Sequence, residues 1–123
     1  MKIELTEDEI ENIRWAVRCF IVDAEYRKKL NMPSITEKDL ADSKNLKHRF
    51  DKIDTNKINK IDIDLSEDEL GVIYSGVSFV IEDIKRDPFN YLDVTDEDIN
   101  DLDELEDKFY KLLDEVYEKN EEV

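Results

Sequence analysis

The sequence predicts an all-α fold of four helices, built as a tandem duplication of a helical hairpin, and two observations carry that prediction. The first is an internal repeat. Ile3-Glu4-Leu5-Thr6-Glu7-Asp8-Glu9-Ile10 lies over Ile63-Asp64-Leu65-Ser66-Glu67-Asp68-Glu69-Leu70, and Ile35-Thr36-Glu37-Lys38-Asp39-Leu40 lies over Val94-Thr95-Asp96-Glu97-Asp98-Ile99. Leu46, Phe50 and Ile53 then fall on Leu105, Phe109 and Leu112. The second observation is that apolar residues recur at steps of three and four after each aligned segment, so each run buries one helical face. One helical domain over 1–123 follows, with a first repeat of about residues 1–59 and a second of about 60–123.

The first helix, over 7–29, starts at Thr6, whose hydroxyl caps the free N–H groups of the first turn while Glu9 reaches back. Leu5 and Ile10 flank this cap as a hydrophobic staple, and Ile10, Ile13, Val17, Phe20, Ile21 and Ala24 share the buried face. Trp15, Cys19, Val22 and Tyr26 form a second apolar stripe on the far side. A helix with two apolar faces either sits centrally or offers one face to a partner. Val72 and Phe79 of the third helix, with small Ser75 and Gly76 between them, are expected to admit the Trp15 indole; a homodimer or partner interface is the alternative. Cys19 is read as a packing residue, since no histidine stands near it in sequence to activate the thiol.

The second helix, over 37–53, starts at Thr36 with Asp39 and carries Leu40, Leu46, Phe50 and Ile53. The third, over 67–86, starts at Ser66 with Glu69 and repeats the face of the first as Leu70, Ile73, Val77, Val80, Ile81 and Ile84. The fourth, over 96–119, starts at Thr95 with Asp98 and carries Ile99, Leu102, Leu105, Phe109, Leu112 and Val116. The pairs Ile35 with Leu40, Leu65 with Leu70 and Val94 with Ile99 supply the other staples. Pro33 and Pro88 fall in the connections inside the hairpins, where a missing N–H costs least. Short connections favour antiparallel neighbours, giving an up-and-down bundle or two stacked hairpins. A short strand at Lys60–Leu65 pairing with Lys2–Leu5 is a secondary alternative.

The inventory of reactive groups is thin. His48, set between Lys47 and Arg49 and read as a surface residue, and Cys19 are the single histidine and the single cysteine. No second imidazole exists for a metal site or a nucleophile and base, and Gly71 and Gly76 alone cannot cradle a phosphate. The expectation is a protein without catalytic residues, cofactor or metal. A lone cysteine forms no internal disulfide, and the run Met1–Glu9 has acids where a signal peptide needs apolar residues. With no stretch near the roughly 18 apolar residues of a membrane helix, a cytoplasmic protein without membrane contact is expected.

The linker between repeats, Phe50 to Asp62, resembles an EF-hand calcium loop. Asp54, Asn56 and Asp62 match its first, third and ninth positions and Ile61 its apolar eighth. It departs from that family at the fifth position, Ile58, at the sixth, Asn59 in place of glycine, and at the twelfth, Leu65 in place of the bidentate glutamate. The resemblance implies a degenerate calcium binder, which is the third functional reading.

Charge is the sharpest feature. The formal net charge is −16, yet residues 1–61 hold 13 Lys plus Arg against 12 Asp plus Glu, whereas residues 62–123 hold 5 against 22. Nine acids crowd one segment: Asp93, Asp96, Glu97, Asp98, Asp101, Asp103, Glu104, Glu106 and Asp107. The helix dipole accounts only for those in the first turn. Like charges one turn apart, as at Asp103 and Asp107, cost a helix about 0.2–0.5 kcal/mol per pair. A solubilising face is the ordinary account of such a run. The functional account is that carboxylates at roughly one-turn spacing, about 5–7 Å, imitate strand phosphates and fit the basic groove of a nucleic-acid-binding protein or nuclease.

The expected partner is therefore a protein with a basic groove, and not nucleic acid itself. In size, acidity and lack of catalytic groups the chain resembles in type the small phage or mobile-element inhibitors of host defence, anti-CRISPR and anti-restriction proteins among them. The alternative is a self-associating structural helical protein, either with a homodimer interface at Trp15, Cys19, Val22 and Tyr26 or with the basic residues of the first repeat meeting the acids of the second.

Overall fold

The computed structural model describes residues 1–57 and 59–121. Four long helices form where the caps start them: α1 Glu7–Lys29, α2 Glu37–Asp51, α3 Glu67–Arg86 and α4 Asp96–Glu121. Thr6 and Ser66 each accept the N–H of the glutamate three residues on at 3.1 Å, and that glutamate accepts the cap residue's own N–H at 3.0 Å. Thr95 and Asp98 make the same reciprocal pair. Thr36 is the exception. It accepts the Asp39 N–H at 3.1 Å, but Asp39 returns no bond and instead lines a groove between α2, α3 and α4. At its other end α1 stops at Asn31, whose φ of 55° bends the chain so that the N–H groups of Asn31 and Met32 reach the carbonyls of Lys28 and Arg27.

Two strands accompany the helices, β1 Lys2–Thr6 and β2 Lys60–Asp64, paired antiparallel. The secondary alternative is thus present, and the chain is mostly but not wholly helical. Alternation explains it: Ile3, Leu5, Ile63 and Leu65 are buried, while Glu4, Asp62 and Asp64 face water. The staple residues therefore serve the sheet and the helix at once. In the ladder Ile3 stands opposite Ile63, its own equivalent in the repeat, and Lys2 and Glu4 stand opposite Asp64 and Asp62. Each strand pairs with its copy in reverse, which relates the two repeats by a local two-fold axis.

That relation recurs in the side chains. Arg49 of α2 reaches across to Glu69 at 2.5 Å and to the Asp64 carbonyl at 2.8 Å. Lys108 of α4, its equivalent, reaches back to Glu9 at 2.9 Å and to the Glu4 carbonyl at 2.8 Å. Each capping-box glutamate is so held by a cation from the opposite repeat. At the centre α1 meets α3 where Ala16 faces Gly76; a methyl group on Gly76 would stand 3.5 Å from the Ala16 carbonyl oxygen and from the Val17 Cα. Small residues at equivalent positions let the helix axes approach.

The core collects the predicted faces apart from Phe20, which is half-buried, with Phe50 and Phe109 fully buried at equivalent positions. Ser43 is also fully buried, where the second repeat has Leu102; its hydroxyl donates to the Asp39 carbonyl at 2.8 Å, so the polar atom is satisfied. α2 ends at Asp51, two residues before the expected 53, because the Arg14 guanidinium takes the Phe50 carbonyl at 2.6 and 2.8 Å and also that of Ile53. Among the described residues no helix is long and apolar enough to cross a membrane.

Candidate functional site

The nine acids of 93–107 do not form one face. Asp93, just before α4, and Asp96, Glu97, Asp98, Asp101, Asp103, Glu104 and Asp107 on it are exposed, but the helix turns its acids to different sides. Asp101 and Glu104, with Lys108 one turn further on, line a shallow depression against Thr6, Asp8, Glu9 and Asn12 at the start of α1. Asp96, Asp103 and Asp107, at steps of seven and four, continue toward Asp114 on the opposite edge. Glu106 turns inward and accepts the Ser78 hydroxyl of α3 at 2.7 Å. Among the described residues Asp107 makes the one salt bridge of the nine, to Lys111 at 2.8 Å, and that contact raises the lysine pKa.

The first edge has a member that the sequence reading assigned elsewhere. Asp8 belongs to the near-neutral repeat, yet the fold carries it beside Asp101 and Glu104. Charge counted along the chain could not show this, because the local two-fold axis brings the start of α1 to the flank of α4. The signal was present in the alignment, since Asp8 and Asp68 occupy equivalent first turns.

The apolar stripe on α1 is split. Trp15 is half-buried, but its indole meets the Tyr91 ring edge-on at 6.2 Å and 82°, not the Ser75–Gly76 strip, where the backbone of α1 itself fills the space. Tyr91 belongs to a 3-10 turn, Pro88–Tyr91, and its hydroxyl donates to the Asp83 carboxylate; burial and that bond raise its pKa. Cys19 lies beside Arg18, Phe79, Asp83 and Tyr91, and burial pushes its thiol up, with Arg18 opposing and Asp83 adding. Val22 and Tyr26 remain 61% and 60% exposed, and Phe89 and Leu92 are 82% and 80% exposed in the connection to α4.

The described residues of the linker form a short turn and the start of a strand. Asp54 accepts the Asn56 N–H at 3.1 Å and opens a 3-10 turn over Thr55–Lys57; Asp62 sits on β2; Leu65 is buried beneath the sheet. Ile58 lies outside the described residues. Among the described residues no three His, Cys, Asp or Glu side chains gather as a metal site. The buried Leu65 offers no oxygen at the position where that family has its bidentate glutamate.

A groove that the sequence reading missed opens between α2, α3 and α4. Tyr74 of α3 and Tyr110 of α4 meet there at 6.1 Å, with Tyr117 one stretch further along α4 and Asp39, Asp42, Glu67, Asp68 and Asp114 at the margins. Tyr110 and Tyr117, seven residues apart, and small Gly71 and Ser75, four apart, are the periodic signals that mark it. No family model matches this chain, and no curated protein and no solved structure matches it.

Proposed function

We propose that this chain works without catalysis, by binding a basic protein through the carboxylates of α4 and the start of α1, in the manner of an inhibitor that occupies a nucleic-acid groove. The observation that carries the reading is the contrast in neutralisation. Of the acids in 93–107 one has a cation within salt-bridge distance among the described residues, whereas cations of the first repeat pair widely, as Arg27 with Asp23, Lys44 with Glu25 and Lys47 with Asp51. Unpaired like charges repel and cost folding stability, so a surface that keeps them suits a partner that supplies the opposite charge. The chemistry of that partner is a row of Lys and Arg spaced for phosphates. A phage or mobile-element origin, with a host nuclease as target, is the biological setting that fits best.

Binding to purified basic nucleases and repressors, measured by interferometry at low and high salt, tests this. Affinity should fall steeply with salt and drop by about tenfold or more in the combined variant Asp101→Asn, Glu104→Gln and Asp107→Asn. Affinity unchanged in that variant would remove the proposal. A second reading rests on the exposed Val22, Tyr26, Phe89 and Leu92: a homodimer through that side of α1. Light scattering at tens of micromolar decides it, since a strict monomer excludes the dimer and a dimer dissociated by Val22→Asp establishes it.

A further inference from the structure

The groove along α3 has a closed twin in the first repeat, and the difference between them points to what the open one holds. On α1 the equivalent strip is filled by the chain itself. Glu11 accepts the Thr55 hydroxyl at 2.7 Å, and Arg14 reaches from the same strip to the carbonyls that end α2. Glu11 corresponds to Gly71 and Arg14 to Tyr74. On α3 the floor is therefore open: a side chain started at Gly71 would meet nothing within 4 Å.

The open groove encloses about 600 Å³, and a second stretch of about 660 Å³ shares Phe20, Ile35, Tyr74 and Ser75 with it and runs on toward the end of α3. From Gly71 to Glu82 the strip spans roughly 17 Å at 1.5 Å per residue, the length of three helical turns. Phe20, Tyr74, Tyr110 and Leu113 supply its apolar and aromatic lining, and its far stretch is edged by Arg27 and Arg86 together with Asp23 and Glu82. Its rim is anionic at one end, where Glu67, Asp68 and Asp114 stand opposite Asp39 and Asp42. Lys38 shows how that rim treats a cation. Its ammonium spans from α2 to α3, 2.8 Å from Asp42 and 3.2 Å from Asp68, and the two carboxylates hold it charged.

We propose that this groove docks a cationic amphipathic helix of a partner protein, with its apolar side on Tyr74, Tyr110 and Leu113 and its Lys or Arg side chains on the carboxylate rim. A fully polar cationic strand would leave the aromatic floor wet, and an acidic helix would face five carboxylates, of which Lys38 bridges only Asp42 and Asp68. A second copy of this chain is a poor occupant, because the basic residues of α2 lie on a helix whose apolar side already fills its own core. The inference rests on the reading that this protein acts by binding a basic partner, but it uses the other edge of α4.

The test is fluorescence anisotropy with a labelled peptide of Leu and Lys, patterned as an amphipathic helix of about four turns, beside a scrambled peptide of the same composition. The patterned peptide should bind roughly tenfold tighter or better, and Gly71→Arg and Ser75→Arg should each weaken it by about tenfold. Gly71→Arg replaces a poor helix former with a good one, and circular dichroism checks that both variants stay folded. The double variant Asp101→Asn and Glu104→Gln should change peptide affinity by less than about threefold, both residues being on the other edge. Equal binding of the two peptides, or a larger loss in the Asp101 variant than in either groove variant, would show diffuse charge attraction and overturn the proposal. A dimer that Gly71→Arg dissociates would overturn it in favour of a second copy. Loss of nuclease binding at the Asp101 edge with peptide binding intact separates the two sites; peptide binding without any basic protein at that edge removes only the earlier reading.

Discussion

The two repeats share a scaffold and differ in what their surfaces do with charge. Both start their first helix with a reciprocal Thr or Ser and Glu box, both bury a phenylalanine at the same place, and both reach across to the other repeat with one cation. These contacts tie each repeat to the other, and they recur as a set. On the surface the first repeat neutralises most of its acids and plugs its groove with Arg14 and Glu11, whereas the second leaves the carboxylates of 93–107 largely unpaired among the described residues and its groove open. Stability explains the shared part. It does not explain the divergence, which adds repulsion and empty surface to one repeat alone.

The largest test of the shared part is the matched core pair. Phe50→Ala and Phe109→Ala should each cost about 3–5 kcal/mol in urea unfolding, because both side chains are fully buried and leave a cavity. A loss below about 1 kcal/mol at either site would break the equivalence of the two cores. The cross-repeat cations come next. Arg49→Ala and Lys108→Ala should each cost on the order of 1 kcal/mol, since each removes two hydrogen bonds that are partly exposed.

The divergent part predicts a change of sign. Neutralising Asp101, Asp103 and Glu104 to their amides relieves several one-turn repulsions and should stabilise the fold by about 1 kcal/mol at low salt, a gain that fades at high salt. The same treatment of Asp23, Asp42 and Asp51 removes ion pairs and should leave stability unchanged or lower it by a few tenths of a kcal/mol. Equal responses from the two sets would mean that the contrast in pairing carries no energy. At the caps, Asp98→Ala should cost more than Asp39→Ala, by roughly 0.5 kcal/mol, because only Asp98 returns a bond to its cap residue.

The helices were legible because each carried two independent signals, a cap and a period. The short strands were harder, since Ile3-Glu4-Leu5 and Ile61-Asp62-Ile63 alternate over too few residues to outweigh the helical pattern beside them. What no linear reading supplied was the product of the two-fold axis: Asp8 beside Asp101, and the groove whose walls come from α2, α3 and α4 together. Trp15 failed for a related reason. Gly76 looked like room for an indole, but the axis places Ala16 there, and a close backbone approach uses the space first.

The smallest effect concerns Cys19, whose equivalent in the second repeat is Phe79, and the two lie together beside Tyr91. Burial disfavours the thiolate, and the Asp83 carboxylate adds to that against the pull of Arg18, so the folded thiol titrates above its ordinary value of 9.0. A raised pKa means that the folded state prefers the proton. Its contribution to stability is therefore complete below the unfolded pKa and is lost as pH rises through the folded one, leaving the Tm unaffected by this group at neutral pH. The same preference slows chemistry, since the thiolate is the nucleophile. Iodoacetamide should modify Cys19 several-fold more slowly than a cysteine in an unstructured peptide at mildly alkaline pH, and Phe79→Ala should recover part of that rate by opening the site. A folded protein that reacts as fast as the peptide would place Cys19 on a free surface and break its pairing with Phe79 and Tyr91.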